Sequence, residues 1–228
     1  MGNRDHLKRT RRWVVKIGSA LATIPGQGVN LEAIADWAAQ IAEVRRGGRE
    51  VVVVTSGAVA EGAARSILIV DCDVHQGDGT ARIMAGRCDI ITLSIHAEKN
   101  FPVRKARSTH DIGLPDGTGD ADYLAALEPA LSALLARHRP QLVLHQAGVD
   151  PHRDDRLGRL ALTDDGLAAR EALVARLAAR AGAALAVTLG GGYATDPADV
   201  ARRHALALTA SWQAWQESGS TAARDAAA

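Results

Sequence analysis

Six short runs rich in Val, Ile and Leu recur along the chain: WVVKIG (13–18), EVVVVTS (50–56), SILIVD (66–71), DIITLS (89–94), QLVLHQ (141–146) and AALAVTL (183–189). Longer Ala/Leu-rich stretches of helical period lie between most of them. This alternation predicts an α/β protein with a mainly parallel sheet and flanking helices. Most runs are continuously apolar rather than alternating, so the strands are expected to be buried on both faces. One helix is predicted from Asn30 as N-cap, with Glu32 in its first turn and Leu31, Ile34, Ala38, Ile41 and Ala42 on one stripe. Others are predicted over 121–138, 164–181 and 197–216, with Thr163 capping the third and Asp196 and Pro197 at N-cap and N1 of the fourth. The end of the chain, 217–228, reads as a disordered tail.

One connection does not suit this pattern. Parallel neighbours need a crossover of about a dozen residues or more. Between Ser56 and Ser66 the chain offers only AVAEGAAR and its flanks, roughly two helical turns with a glycine inside. Either the strands on its two sides are not parallel neighbours, or the join is not native to one well-packed unit.

At 228 residues the chain suits one domain, or one domain and a fragment. Its formal charge of +1, with acids and bases interspersed, argues against a nucleic-acid partner and for a small molecule or another protein. Cys72 and Cys88 show no CxxC spacing. Lys16 interrupts WVVKIGSALATIP, the nearest approach to an apolar span, so no membrane anchor is expected. A reducing, cytoplasmic location follows as an expectation.

The chemistry gathers at strand ends. Asp71, Asp73 and His75 follow SILIV at alternate positions, which places two carboxylates and an imidazole on one side of an extended chain. DIITLS leads to His96, QLVLHQ to Asp150 and AALAVTL to GGGY with Tyr193. In open α/β sheets this carboxyl-terminal rim is where ligands bind. Two carboxylates and a histidine with an open position suit a catalytic zinc, and a tyrosine behind three glycines can donate to a developing oxyanion. An isolated Asp-x-His is more often a capping or hydrogen-bonded pair, and GGGY alone a tight turn. It is their joint occurrence that points to a site. His6, His110, His138 and His152 read as surface residues, and His145 as a polar residue closing a strand.

The motifs VDCDVHQGDGTA, SIHAEKNFPVRKARS, DIGLPDGTGD, AGVDPHRDDRLGRLALTDDGLAAR and TLGGGY together resemble the histone deacetylase family, nearest its bacterial and class IV-like members, over about 66–216. The resemblance implies the arginase/deacetylase fold and zinc-dependent hydrolysis of an acylated amine such as acetyl-lysine or an acetylpolyamine. It implies Asp73, His75 and Asp150 as Zn2+ ligands and Tyr193 as the residue that stabilises the tetrahedral intermediate. Gly190, Gly191 and Gly192 let the tyrosine loop approach. Asp71, Asp73, His75, Ser94 and Ile95 are implied as a monovalent-cation site for K+. The family also carries a histidine pair upstream of the DxDxH strand, serving as general base and acid. This chain has only His6 before His75 and no adjacent histidines anywhere. Since general acid–base help is commonly worth about 10²–10⁴-fold, impaired turnover is expected.

The N-terminal stretch has a different logic. VVKIGSAL and NLEAIADWAAQIAEVRRGGREVVVVTSGAVAEG resemble the start of glutamate 5-kinase, of the amino-acid kinase family, over about 11–63. That resemblance implies Lys16 near ATP phosphates and Ser56 in a glutamate site. The rest of the glutamate site and the nucleotide-binding half have no counterpart after Gly62, and a half-site does not transfer phosphate. The organisation expected is therefore an amino-acid-kinase-like fragment (1–65), a deacetylase-like zinc hydrolase region truncated at its N-terminus (66–216) and a tail. The rival readings are a non-catalytic zinc or acyl-lysine binding module, a glutamate 5-kinase, and a gene-fusion product with an exposed sheet edge.

Overall fold

A five-stranded, all-parallel sheet carries the candidate site. The computed structural model describes residues 12–17, 23–24, 28–29, 50–55 and 66–225, with side chains from 66 to 218. The chain divides into two compact units, Met1–Ala63 and Ala64–Ala228. In the first, β1 (Arg12–Ile17) and β4 (Glu50–Thr55) form a parallel pair in which Lys16 is in register with Val54, and β2 (Thr23–Ile24) and β3 (Gly28–Val29) form an antiparallel pair. Ser56 and the helix expected from Asn30 lie outside the described residues.

The second unit runs β5 (Ile67–Asp71), α1 (Asp78–Ile83), β6 (Ile90–Ala97), β7 (His110–Leu114), α2 (Asp120–His138), β8 (Leu142–Ala147), α3 (Asp164–Arg180), β9 (Ala184–Leu189) and α4 (Pro197–Asp225). The strand order in its sheet is β7-β6-β5-β8-β9. Four of the six predicted strands fall in this sheet and the other two form the β1–β4 pair. Within its own unit β4 pairs with β1, and within the second β5 pairs with β6 and β8; the short link between them lies outside the described residues. Burial follows position in the sheet. β6 is buried along its whole length, whereas the edge strands β7 and β9 are partly exposed, against the expectation for β9. β7 was not predicted, because HDIGL is short, polar at its start and broken by Gly113.

The core is aliphatic: Leu68, Val70, Leu93, Ile95 and Val143 from the strands meet Leu127, Leu131, Leu167 and Val174 from α2 and α3. Each such side chain contributes about 1.5–3 kcal/mol of transfer free energy when fully buried. The helix starts follow the sequence. Thr163 Oγ1 accepts the Gly166 N–H at 3.0 Å, and Asp196 Oδ1 accepts the Ala198 N–H at 2.8 Å at the start of α4. The backbone of α4 continues to Asp225, into the stretch read as a tail. Among the described residues, no helix is long and apolar enough to cross a membrane.

Candidate metal centre

β5 and β8 are neighbours, and the chain leaving their carboxyl ends brings Asp73, His75 and Asp150 together. One candidate ligand atom from each lies within 4.8 Å of the other two. Asp73 is held from both sides. Its Oδ1 accepts the His75 N–H and faces His75 Nδ1, both at 2.9 Å, while its Oδ2 accepts Gln146 Nε2 and the Gly191 N–H, both at 3.0 Å. Asp150 is fully buried, and its Oδ1 accepts the Val74 N–H at 2.9 Å. Asp150 Oδ2 has no hydrogen-bond donor of its own. His75 Nδ1, 3.2 Å away, is already shared with Asp73.

The electrostatics describe a cluster short of positive charge. The carboxylates against it, Asp150 first and then Asp73, push His75 up to about 10. Burial, reinforced by the charge of Asp73, raises Asp150 to about 6. Burial opposes ionisation of Asp73 too, but hydrogen bonds with His75 and Gln146 hold it well below the usual carboxylate range. Beside them, burial and then the Asp73 charge raise Asp71 to about 7. Asp71 is in register with Ser94, and its Oδ1 accepts the Asp73 N–H at 3.1 Å.

The glycine loop closes over this cluster. A Cβ on Gly191 would run into the Asp150 and Asp73 carboxylates, and one on Gly190 into the Gln146 amide. Tyr193 follows, 41% exposed, with its ring edge-on to His75 at 6.2 Å between centroids. Asp155 fixes the loop by accepting the Tyr193 N–H at 2.6 Å, and Arg156 Nε donates to the Tyr193 carbonyl at 3.0 Å. On the α4 side of the loop lies a cleft of about 690 Å³, lined by Leu189, Tyr193, Val200, His204 and Leu208 among others.

Not every predicted group converges. His96 ends in a hydrogen bond of 3.0 Å with Ser94 Oγ instead of joining the cluster. His152 is not a surface residue. It is buried, its Nδ1 accepts the Asp154 N–H at 3.1 Å and its Nε2 faces Asp164 at 3.5 Å, so it packs the loop after β8 against α3. His145 does not close its strand at the surface either. It is fully buried within β8 and bonded to Glu171 of α3, whose neighbour Arg170 reaches the Cys72 and Gly148 carbonyls. The sequence reading missed Arg170, Glu171 and Asp155. A signal existed for two of them, since Arg170 and Glu171 fall on the same helical stripe as the apolar Leu167 and Val174.

Residues 49–209 match the histone deacetylase domain. The chain belongs to the histone deacetylase family. It is similar to an uncharacterized protein of Picosynechococcus sp., 46% identical over 157 residues that make up 69% of this chain and 52% of that protein. It is similar also to the histone deacetylase-like amidohydrolase of Pseudomonas aeruginosa, 33% identical over 63% of this chain and 41% of that one. This deacetylase-family chain thus spans about half the length of the relatives it matches there. Its N-terminal segment is similar to glutamate 5-kinase of Thioalkalivibrio sulfidiphilus, 60% identical over 62 residues, 27% of this chain and 16% of the kinase. The fold is shared with a histone deacetylase (HDAC) homolog from Aquifex aeolicus, with a TM-score of 0.59 at 21% identity over 83% of this chain and 58% of that one.

Proposed function

We propose that the chain is a zinc-dependent amide hydrolase of the deacetylase type, acting slowly on a small acylated amine such as acetyl-lysine or an acetylpolyamine. The observation that carries this is the convergence of Asp73, His75 and Asp150 beneath the Tyr193 loop. A borderline cation fits these residues on the chain's own terms: two carboxylates and an imidazole match zinc's preferred donors, and the buried Asp150 Oδ2 lacks a donor. Zinc held by the three supplies Lewis-acid polarisation of an acyl carbonyl. Asp71, with Asp73, His75, Ser94 and Ile95, forms the proposed K+ site, where a buried carboxylate pushed towards neutrality gains from a cation.

The chain's own groups then divide the work. Asp73 and Asp150 are locked by backbone and amide donors, so their oxygens keep their direction as a substrate enters. Tyr193 supplies a hydroxyl to the developing oxyanion, and the glycines let its loop approach: Gly191 against the carboxylates, Gly190 against the Gln146 amide and Gly192 against Val149 and Val200. General base catalysis is the weak point. Outside the cluster, His145 has both ring nitrogens bonded and His96 and His152 each have Nδ1 bonded elsewhere, while His204 lies in the cleft on the α4 side of the Tyr193 loop rather than among Asp73, His75 and Asp150. That observation favours a second reading, a module that binds zinc and acylated amine without turnover. In either case the organisation proposed is a kinase-like remnant over 1–65, carrying Lys16 and Ser56, joined to the deacetylase-like region. Phosphoryl transfer to glutamate ranks last.

The test is metal content and acetyl-lysine hydrolysis by the purified protein, before and after chelation. Stoichiometric zinc with slow, chelator-sensitive release of acetate supports the hydrolase. Zinc without release supports the module. No zinc, with Asp73→Ala and Asp150→Ala indistinguishable from wild type, sinks both.

A further inference from the structure

The β5–β8 ladder ends in an unusual way. Its last regular bonds include the Cys72 N–H to the Gln146 carbonyl at 3.1 Å. A parallel ladder would next take the Gly148 N–H to the Cys72 carbonyl. Gly148 N–H turns instead to Gln146 Oε1 at 2.8 Å, and the two strands diverge at Cys72 and Gly148, just ahead of Asp73 and Asp150. Arg170 stands in the gap. Its Nη1 donates to the Cys72 carbonyl at 3.1 Å and its Nη2 to the Gly148 carbonyl at 2.8 Å.

The guanidinium is itself fixed. Glu171 Oε1 accepts from Arg170 Nε at 2.8 Å and Nη2 at 2.6 Å, and Glu171 Oε2 lies 2.7 Å from His145 Nε2. His145 Nδ1 faces the Val70 carbonyl at 3.2 Å, which returns the network to β5. Arg170, Glu171 and His145 are each fully buried. Buried charge networks are often matched or exceeded in stability by apolar side chains of the same volume, so stability alone does not explain three charges on the inner stripe of α3 and β8. Geometry does: a planar fork, fixed along one edge by Glu171, holds two separate nitrogens on the two carbonyls in a set direction, which a flexible point charge does not.

We propose that Arg170 is the positioning residue of the metal centre, setting the spacing of Asp73 and Asp150 by holding the Cys72 and Gly148 carbonyls, with Glu171 and His145 fixing its guanidinium. This rests on the reading of Asp73, His75 and Asp150 as a metal site. The test uses Co2+ as probe on the full chain, following its visible absorption and displacement by Zn2+. Wild type binds one Co2+ with a defined ligand-field spectrum, and Asp150→Asn abolishes it. Arg170→Lys keeps a charge but not the fork, so its Co2+ affinity falls about 10- to 100-fold, with an altered spectrum. Val174→Ala, on the same buried stripe, lowers the melting temperature and leaves the spectrum unchanged. If Arg170→Lys does not fold, Glu171→Gln is read in its place, with weakened affinity and an altered spectrum expected. Wild-type binding together with unchanged affinity and spectrum in the folded variant overturns the positioning role alone. Failure of wild type to bind Co2+ overturns the metal reading and this role with it.

Discussion

His145 Nε2 lies 2.7 Å from Glu171 Oε2, with both side chains closed off from solvent. Because Nδ1 also faces a carbonyl, both ring nitrogens meet acceptors, and the imidazole satisfies both only when charged. Burial opposes that charge, but Glu171 outweighs it and pushes His145 up to about 10 from 6.5. Burial likewise opposes ionisation of Glu171, yet His145 and Arg170 bring it down to about 2 from 4.5. A raised histidine contributes fully below its unfolded value and loses that contribution as pH climbs towards its folded one. A depressed carboxylate contributes above its unfolded value and loses it on acidification. The pair is therefore at full strength between about pH 4.5 and 6.5. The apo protein's melting temperature is expected to fall from pH 6.5 towards 10, with His145 and His75 both contributing, and His145→Asn to reduce that slope without abolishing it. A slope unchanged in the variant assigns the pH dependence to other groups.

Metal uptake should be coupled to proton release. Asp150 and Asp73 push His75 up to about 10, yet a ligating imidazole is neutral at the bonding nitrogen. Binding at pH 7 is expected to release about one proton, read by calorimetry in buffers of different ionisation enthalpy. Zinc at about 100 times its dissociation constant should add about 2.7 kcal/mol of stability, and Asp73→Asn should remove the gain. Heats that do not depend on the buffer would mean that His75 is neutral before the metal arrives.

Much of this centre was legible because strand ends impose order on sequence. Asp73 and His75 follow an apolar run at alternate positions, and Asp150 and Tyr193 follow two further runs, so a parallel sheet alone brings them to one rim. The support beneath them was harder to see. The segment Ala169-Arg170-Glu171-Ala172 reads as an ordinary solvated helix face, and its inward direction emerges only when it is phased against Leu167 and Val174. β7 and α1 escaped for another reason: each is short and interrupted by glycine, so packing against neighbours rather than local pattern selects its conformation.

Gly191→Ala should be more damaging than its size suggests. The added methyl would occupy space held by the Asp150 and Asp73 carboxylates, and the Gly191 N–H to Asp73 bond would have to give way. Overpacking of this kind costs about 1–3 kcal/mol, and metal affinity should fall with it. Gly79→Ala, where nothing stands within 4 Å, is the control. Its helical position predicts a gain of up to about 1 kcal/mol. Denaturant midpoints with unchanged m values measure both changes, and equal effects at the two positions would refute the packing account.

Tyr193→Phe separates binding from chemistry. The ring edge against His75 is retained, and the backbone anchors at Asp155 and Arg156 do not depend on the hydroxyl. Metal affinity and melting temperature should stay at wild-type values. If the hydroxyl donates to a developing oxyanion, any measurable acetyl-lysine hydrolysis should fall about 10²–10³-fold in kcat. A loss confined to KM would place Tyr193 in substrate binding instead. Equal turnover in the two proteins would show that the oxyanion is stabilised without Tyr193, which a hydroxyl on a 41% exposed side chain would explain if its loop stays open during catalysis.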